Sequence, residues 1–300
     1  MTLIKKLYPE IITIVIISIG ALCFPLVARG LLYVPPFLFS GLRTLIAGLS
    51  ILLVLPLLGQ PILPPTGTWK WILLFSIPAV VITYGAMFSS HGNPSMTIVS
   101  VFENLQPLLS VFLAVIFLHE KLTSVTRIIM IFGTLGIFIM SIPSFTGSSM
   151  FSWSSAMLAL LASLSAAVTT ILIKSIKRSE SIVTIASWQF IIGSIPLFLL
   201  SLLFERNTIV QFNVSFVAIL LFLALVGTAL TSVVWYMLIQ KIPVSRVSTL
   251  FFLLPAFGLL VSSYAYNLSV GMFEWVGIGI IVAGVLIGLK KQSLLENNSN

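Results

Sequence analysis

The chain has 300 residues, 59% hydrophobic and 7% charged, with a mean hydropathy of +1.19. Soluble domains carry roughly 25% charged residues, so a water-covered fold of this length is excluded and most of the chain must sit in lipid. The net charge of +8 is scattered between apolar runs without interleaved aromatics, which excludes a nucleic-acid footprint. The single Cys23 excludes a disulfide framework or a thiolate metal site built from this chain alone.

A spanning helix needs about 20 mainly apolar residues. Ten runs qualify: 10–28, 36–58, 69–89, 95–118, 126–144, 152–174, 181–203, 214–239, 245–267 and 272–289. The first follows Lys5-Lys6 but ends in Phe24-Pro25-Leu26-Val27 with no small-residue cleavage site, so it is expected to be a retained span. The second opens after Pro35-Pro36 and carries Arg43. The third places Tyr84, Met87 and His91 on one face. The fourth reads as a helix kinked at Pro107, in which Ser100, Glu103, Pro107 and Ser110 form a polar stripe, with Asn104 and Gln106 beside it. His119-Glu120-Lys121 closes it, where capping and a salt bridge are expected. Further on come Trp188-Gln189 in the seventh run and Thr228, Thr231 and Trp235 in the eighth. Pro255 and Tyr264 lie in the ninth, and Gly284 and Gly288 form a small-residue face on the tenth, read as intramolecular packing. Turn chemistry separates the runs at Gly59-Gln60-Pro61, Gly92-Asn93-Pro94, Thr146-Gly147-Ser148 and Lys241-Ile242-Pro243.

Twelve of the fifteen basic residues fall in alternate connections if the N-terminus is cytoplasmic; only Arg29 and Arg206 fall on the other side, and Arg43 lies within a helix. That asymmetry predicts that both termini face the cytoplasm. The halves also correspond: Pro107 to Gly136 spans the same interval as Pro255 to Gly284, and Arg43-Thr-Leu-Ile-Ala matches Gln189-Phe-Ile-Ile-Gly. Five helices per half is odd, so the halves must enter the membrane with opposite polarity. The expected fold is an all-α polytopic membrane protein of ten transmembrane helices in two inverted repeats, 1–147 and 148–291, with a disordered polar tail over 292–300.

Arg43 in the second helix, the paired Pro107 and Pro255, and His119-Glu120 followed by Gly136 together resemble the EamA-type branch of the drug/metabolite transporter superfamily. The resemblance covers about residues 4 to 289. It implies alternating access around a central cavity and export of amino acids, metabolites or drugs. The second half carries Leu268 where a counterpart of Glu120 would stand.

Ionisable residues inside a bilayer are costly and mark function by default. Glu103 and Arg43 lie at similar expected depths, either as an ion pair fixing helix packing or as groups meeting a solute or coupling proton. The stretch corresponding to Glu103, Phe251 to Leu254, is wholly apolar, and this asymmetry favours a functional role for Glu103, Asn104 and Gln106. The predicted substrate site is Arg43, Tyr84, Glu103, Asn104, Gln106, Trp188, Gln189, Trp235 and Tyr264, with Pro107 and Pro255 as hinges. No phosphate loop, His-Glu-x-x-His or metal-spaced cluster occurs, so neither cofactor nor metal is expected and no enzyme is indicated. The expectation is a secondary transporter of small metabolites, amino-acid-like or aromatic, in a bacterial inner membrane. With no nucleotide site it would be driven by a proton or counter-solute gradient or be merely facilitative, as a monomer or homodimer. A lipid or polyprenyl-lipid flippase, or a membrane enzyme, is the alternative class.

Overall fold

The computed structural model describes residues 2–90, 102–143, 152–176, 181–206, 208, 210–267 and 269–297. Among these, every regular element is helical. Eight helices are long and apolar enough to cross a membrane. In the first half these are α1 (Thr2–Gly30), α2 (Pro36–Val54) and α3 (Thr66–Ser90). Two shorter apolar helices, α4 (Gln106–Phe117) and α5 (Ser124–Met140), complete it. The second half contributes α6 (Trp153–Ser175), α7 (Ile182–Phe204), α8 (Val214–Lys241), α9 (Val244–Tyr266) and α10 (Met272–Asn297).

Local chemistry explains the boundaries. Pro36 occupies the first position of α2, where its missing N–H costs nothing. The side chains of Thr123, Ser152, Ser181 and Asn213 cap α5, α6, α7 and α8 by accepting from the N–H three residues on. His119 (φ 52°) and Asn267 (φ 53°) turn the chain through the left-handed region after α4 and α9, a conformation in which His and Asn are among the tolerated non-glycine residues.

Two sequence expectations change. The fourth run is not one continuous helix: Asn104 and Leu105 form a turn and α4 begins at Gln106. Pro107 is the cause, because it offers no N–H to the carbonyl of Glu103. Instead of kinking a mid-helix, Pro107 sits in the first turn of α4, where proline is accommodated. Pro255 is placed alike, in the first turn of Leu253–Tyr266, the second α-helical part of α9, after a 3₁₀ turn, Thr249–Phe252. At the other end, α10 runs on through Asn297 where a polar tail is expected, since no proline or glycine interrupts Gln292 to Asn297.

Two regular helices are interrupted by π turns, Ile77–Ile82 in α3 and Leu225–Leu230 in α8. These are separated by the same 148 positions as Pro107 and Pro255, His119 and Asn267, and Gly136 and Gly284. Packing repeats in the same way. The contact of α1 with α9 returns as α6 with α4, that of α3 with α6 as α8 with α1, and that of α2 with α8 as α7 with α3. The pairs α2–α7 and α5–α10 are their own counterparts and form the two most extensive seams.

Both seams depend on missing side chains. A Cβ on Gly48 of α2 would lie 2.8 Å from the Ser187 carbonyl oxygen of α7. On Gly277 of α10 it would lie 2.6 Å from the Gly136 oxygen of α5, and on Gly136 2.8 Å from the Gly277 oxygen. Backbones this close maximise dispersion contact where lipid removes the hydrophobic drive between helices.

Candidate functional site

The seven acidic residues are fewer than half the basic ones, and four of them have their charge visibly engaged. Glu205 accepts the backbone N–H groups of Phe37 and Leu38 at 2.7 and 3.0 Å, capping α2 from the far end of α7. Glu120 accepts those of Val244 and Ser245, both at 2.8 Å, capping α9 from the end of α4. Each cap joins one half to the other, and a carboxylate at a helix N-terminus is favoured by the dipole as well as by the bonds. Glu10, buried in α1, pairs with Arg246 of α9 at 2.7 Å. Glu103 accepts from the Ser90 hydroxyl of α3 at 3.3 Å.

Arg43 is 4% exposed, yet no carboxylate lies within ion-pair range of it among the described residues. The ion pair with Glu103 is therefore not formed. Arg43 Nε donates to Thr228 Oγ1 at 2.7 Å, Nη2 donates to the Gly227 carbonyl at 3.3 Å, and Nη1 has no hydrogen-bond partner among the described residues. The guanidinium also stands over the rings of Tyr84 and Phe88, 5.3 and 5.6 Å from their centroids. Both acceptors lie on the π turn in α8, whose wider turn leaves carbonyls out of register, and Gly227 permits close approach of α1, since a Cβ there would meet Cys23 Sγ. Thr231 also donates to the Gly227 oxygen at 2.9 Å, and Thr228 to that of Leu223 at 2.9 Å. In α3 the equivalent turn exposes the Pro78 oxygen, which accepts from Thr83 and from Ser165 of α6, each at 2.7 Å.

The break before α4 is stabilised in the same manner. Ser163 of α6 donates to the oxygens of Phe102 and Glu103 at 2.7 and 2.8 Å, replacing the amide that Pro107 lacks. Asn104 is buried, Gln106 half-buried, and neither amide makes a side-chain hydrogen bond among the described residues. Ser163 therefore holds a short polar segment, Glu103 to Gln106, against α6.

The remaining predicted residues divide. Tyr84 joins Arg43 and packs edge-on against Phe190 of α7, 6.2 Å between centroids. Gln189, the counterpart of Arg43, is fully buried and donates to Tyr236 of α8 at 2.9 Å. Trp188 donates to the Ile62 oxygen at 2.8 Å and stacks edge-on with Trp69, which makes it a clamp on the α2–α3 connection. Trp235 packs on Phe251 with centroids 4.9 Å apart. Tyr264 is 90% exposed and is not brought to the others. His91, Ser100 and Leu268 lie outside the described residues.

Sequence reasoning expected capping at Glu120 but missed that it caps α9, and it missed Thr228 as the partner of Arg43, the Glu205 cap and the Glu10–Arg246 pair. The scarcity of acids was the available signal for the two caps and the pair. It also missed a cavity of about 560 Å³ where α1, α5, α9 and the end of α10 meet, which includes none of the predicted site residues.

Comparison with known proteins converges. The model of the EamA-like transporter family matches residues 9–142 and again 153–289. The uncharacterized transporter YvbV of Bacillus subtilis is 26% identical over 265 residues, 88% of this chain and 86% of its own length. A probable amino-acid metabolite efflux pump of Salmonella typhimurium is 23% identical over 286 residues, 93% of each chain. A solved crystal structure superposes with a TM-score of 0.77 at 16% identity, covering 96% of this chain and 99% of that one, a likeness of fold.

Proposed function

The chain belongs to the EamA-like transporter family, and from that premise we propose that it is a secondary transporter that exports small amino-acid-like or aromatic metabolites by alternating access. Ten spans in two inverted repeats would carry the movement, with both termini in the cytoplasm of a bacterial cell. The similarity to a protein named an amino-acid metabolite efflux pump supports that substrate class.

One observation carries the mechanism. Each half has its helix breaks at matching points, the π turns in α3 and α8 and the turns preceding Pro107 and Pro255. Paired breaks let each half adopt the shape the other has, so two arrangements of nearly equal energy face opposite sides of the membrane. Glu103, Asn104 and Gln106 form the polar centre on one side of the path, and Arg43 with Tyr84 forms a cationic, aromatic surface on the other. Gln189 acts with Tyr236 as the counterpart of the Arg43 surface. Trp188 and Trp235 border the site toward the cytoplasm. A proton or counter-solute gradient supplies the energy.

Flux through purified protein in liposomes tests this reading, with aromatic and aliphatic amino acids as solutes and a pH gradient present or absent. Glu103→Gln is expected to lower flux at least tenfold while the melting temperature in detergent stays within a few degrees of the parent. Undiminished flux would remove Glu103 from the site.

A further inference from the structure

The cavity of about 560 Å³ lies apart from the proposed path, at the ends of α5 and α9 nearest the first residues of the chain. Its floor is apolar: Val125 and Ile129 from α5, Leu250 from α9 and Leu289 from α10. The rim is charged. Lys121 is exposed, and the Arg246 side chain is 33% exposed. The two carboxylates in the wall are turned to other tasks, Glu10 to Arg246 and Glu120 to the N–H groups at the start of α9. Arg127 and Lys290, next in sequence to lining residues, add exposed cations at the same end of α5 and α10. The outward faces of these walls are lipid-facing in character: Ile131, Leu135 and Phe138 on α5 and Leu286 and Ile287 on α10 are all exposed.

An apolar recess with exposed Lys121 at its rim and Arg127 and Lys290 nearby, set among helices whose outer faces meet lipid, matches a ligand with an anionic head and a hydrocarbon tail. We propose that this cavity binds an anionic phospholipid of the leaflet on that side, its phosphate at Lys121 beside the Glu10–Arg246 pair and the start of its acyl chain over Ile129, Leu250 and Leu289. The lipid would brace α9 beside its 3₁₀ turn, Thr249–Phe252, and so bias the arrangement of that helix. A soluble phosphate ester shares the head chemistry but has no tail to place on the floor.

Lipid retention by the full-length protein in detergent, read by native mass spectrometry, tests the site without requiring transport. Phosphatidylglycerol, phosphatidylcholine and glycerol 3-phosphate are offered separately to the parent, Lys121→Gln and Leu289→Trp, with Arg206→Gln at the opposite end as control. Phosphatidylglycerol is expected to bind the parent at one saturable site and Lys121→Gln roughly fivefold more weakly, the effect of one basic group at a lipid surface. Leu289→Trp, which fills the floor, loses the site, and Arg206→Gln does not change it. Equal retention by the parent and both cavity variants overturns the proposal. Equal binding of phosphatidylcholine does so too, because the rim would not be reading charge. Binding of glycerol 3-phosphate as tight as that of the lipid replaces the lipid with a soluble phosphate ester.

Discussion

Arg43 holds a charge away from water with no counter-ion among the described residues, and the cost of that arrangement is several kcal/mol. A purely architectural residue would do better without the charge. Thr228 still donates to the Leu223 oxygen and the Gly227 oxygen still accepts from Thr231 if the guanidinium is removed, so nothing polar is orphaned. Arg43→Met is therefore expected to keep or raise the melting temperature, by up to about 4 kcal/mol of stability, and to reduce flux more than tenfold. A large loss of stability would make Arg43 a packing element. The position of Arg43 was legible in the sequence because a charge in an apolar run stands out. Its partners were not, because a π turn such as Leu225–Leu230 contains no proline and has no compositional mark.

At the level of elements, the break before α4 is a bargain between two residues. Pro107 removes the amide that would satisfy the Glu103 oxygen, and Ser163 restores the bond from α6. Ser163→Ala should destabilise the protein by about 1–3 kcal/mol, the cost of an unsatisfied buried carbonyl. Pro107→Ala returns an amide at position 107, so the double variant should recover most of that loss in thermal melts. Additive losses would mean that the Ser163 bonds do not answer to Pro107. The prolines predicted a departure from regular helix at the right place but not its form. Whether proline kinks a helix or starts one depends on a donor supplied from a helix about sixty positions away in sequence, which no local pattern contains.

For the whole molecule, hydropathy and the correspondence of Pro107–Gly136 with Pro255–Gly284 foretold two related halves, and helix packing returns under their exchange. What stayed hidden was every contact between the halves, since side-chain identities within a run do not say which run they meet. The α5–α10 seam shows how far the relation has drifted. Ile129, Phe132 and Met140 of α5 press into the gaps left by Gly288, Gly284 and Gly277 of α10, although Ile129 and Gly277 are counterparts, as are Met140 and Gly288. Most of the projecting side chains come from one helix and most of the gaps from its twin, with Ile281 against Gly136 the reverse case. Two second halves facing each other would meet glycine against glycine and leave holes, so neither half can serve as its own mate. A chain severed after residue 147 should accordingly reassemble from its two unlike pieces and restore flux on co-expression, while 148–300 alone should not self-associate into a competent pair. Recovery from a single piece would show that the seam has kept the sameness its ancestry gave it.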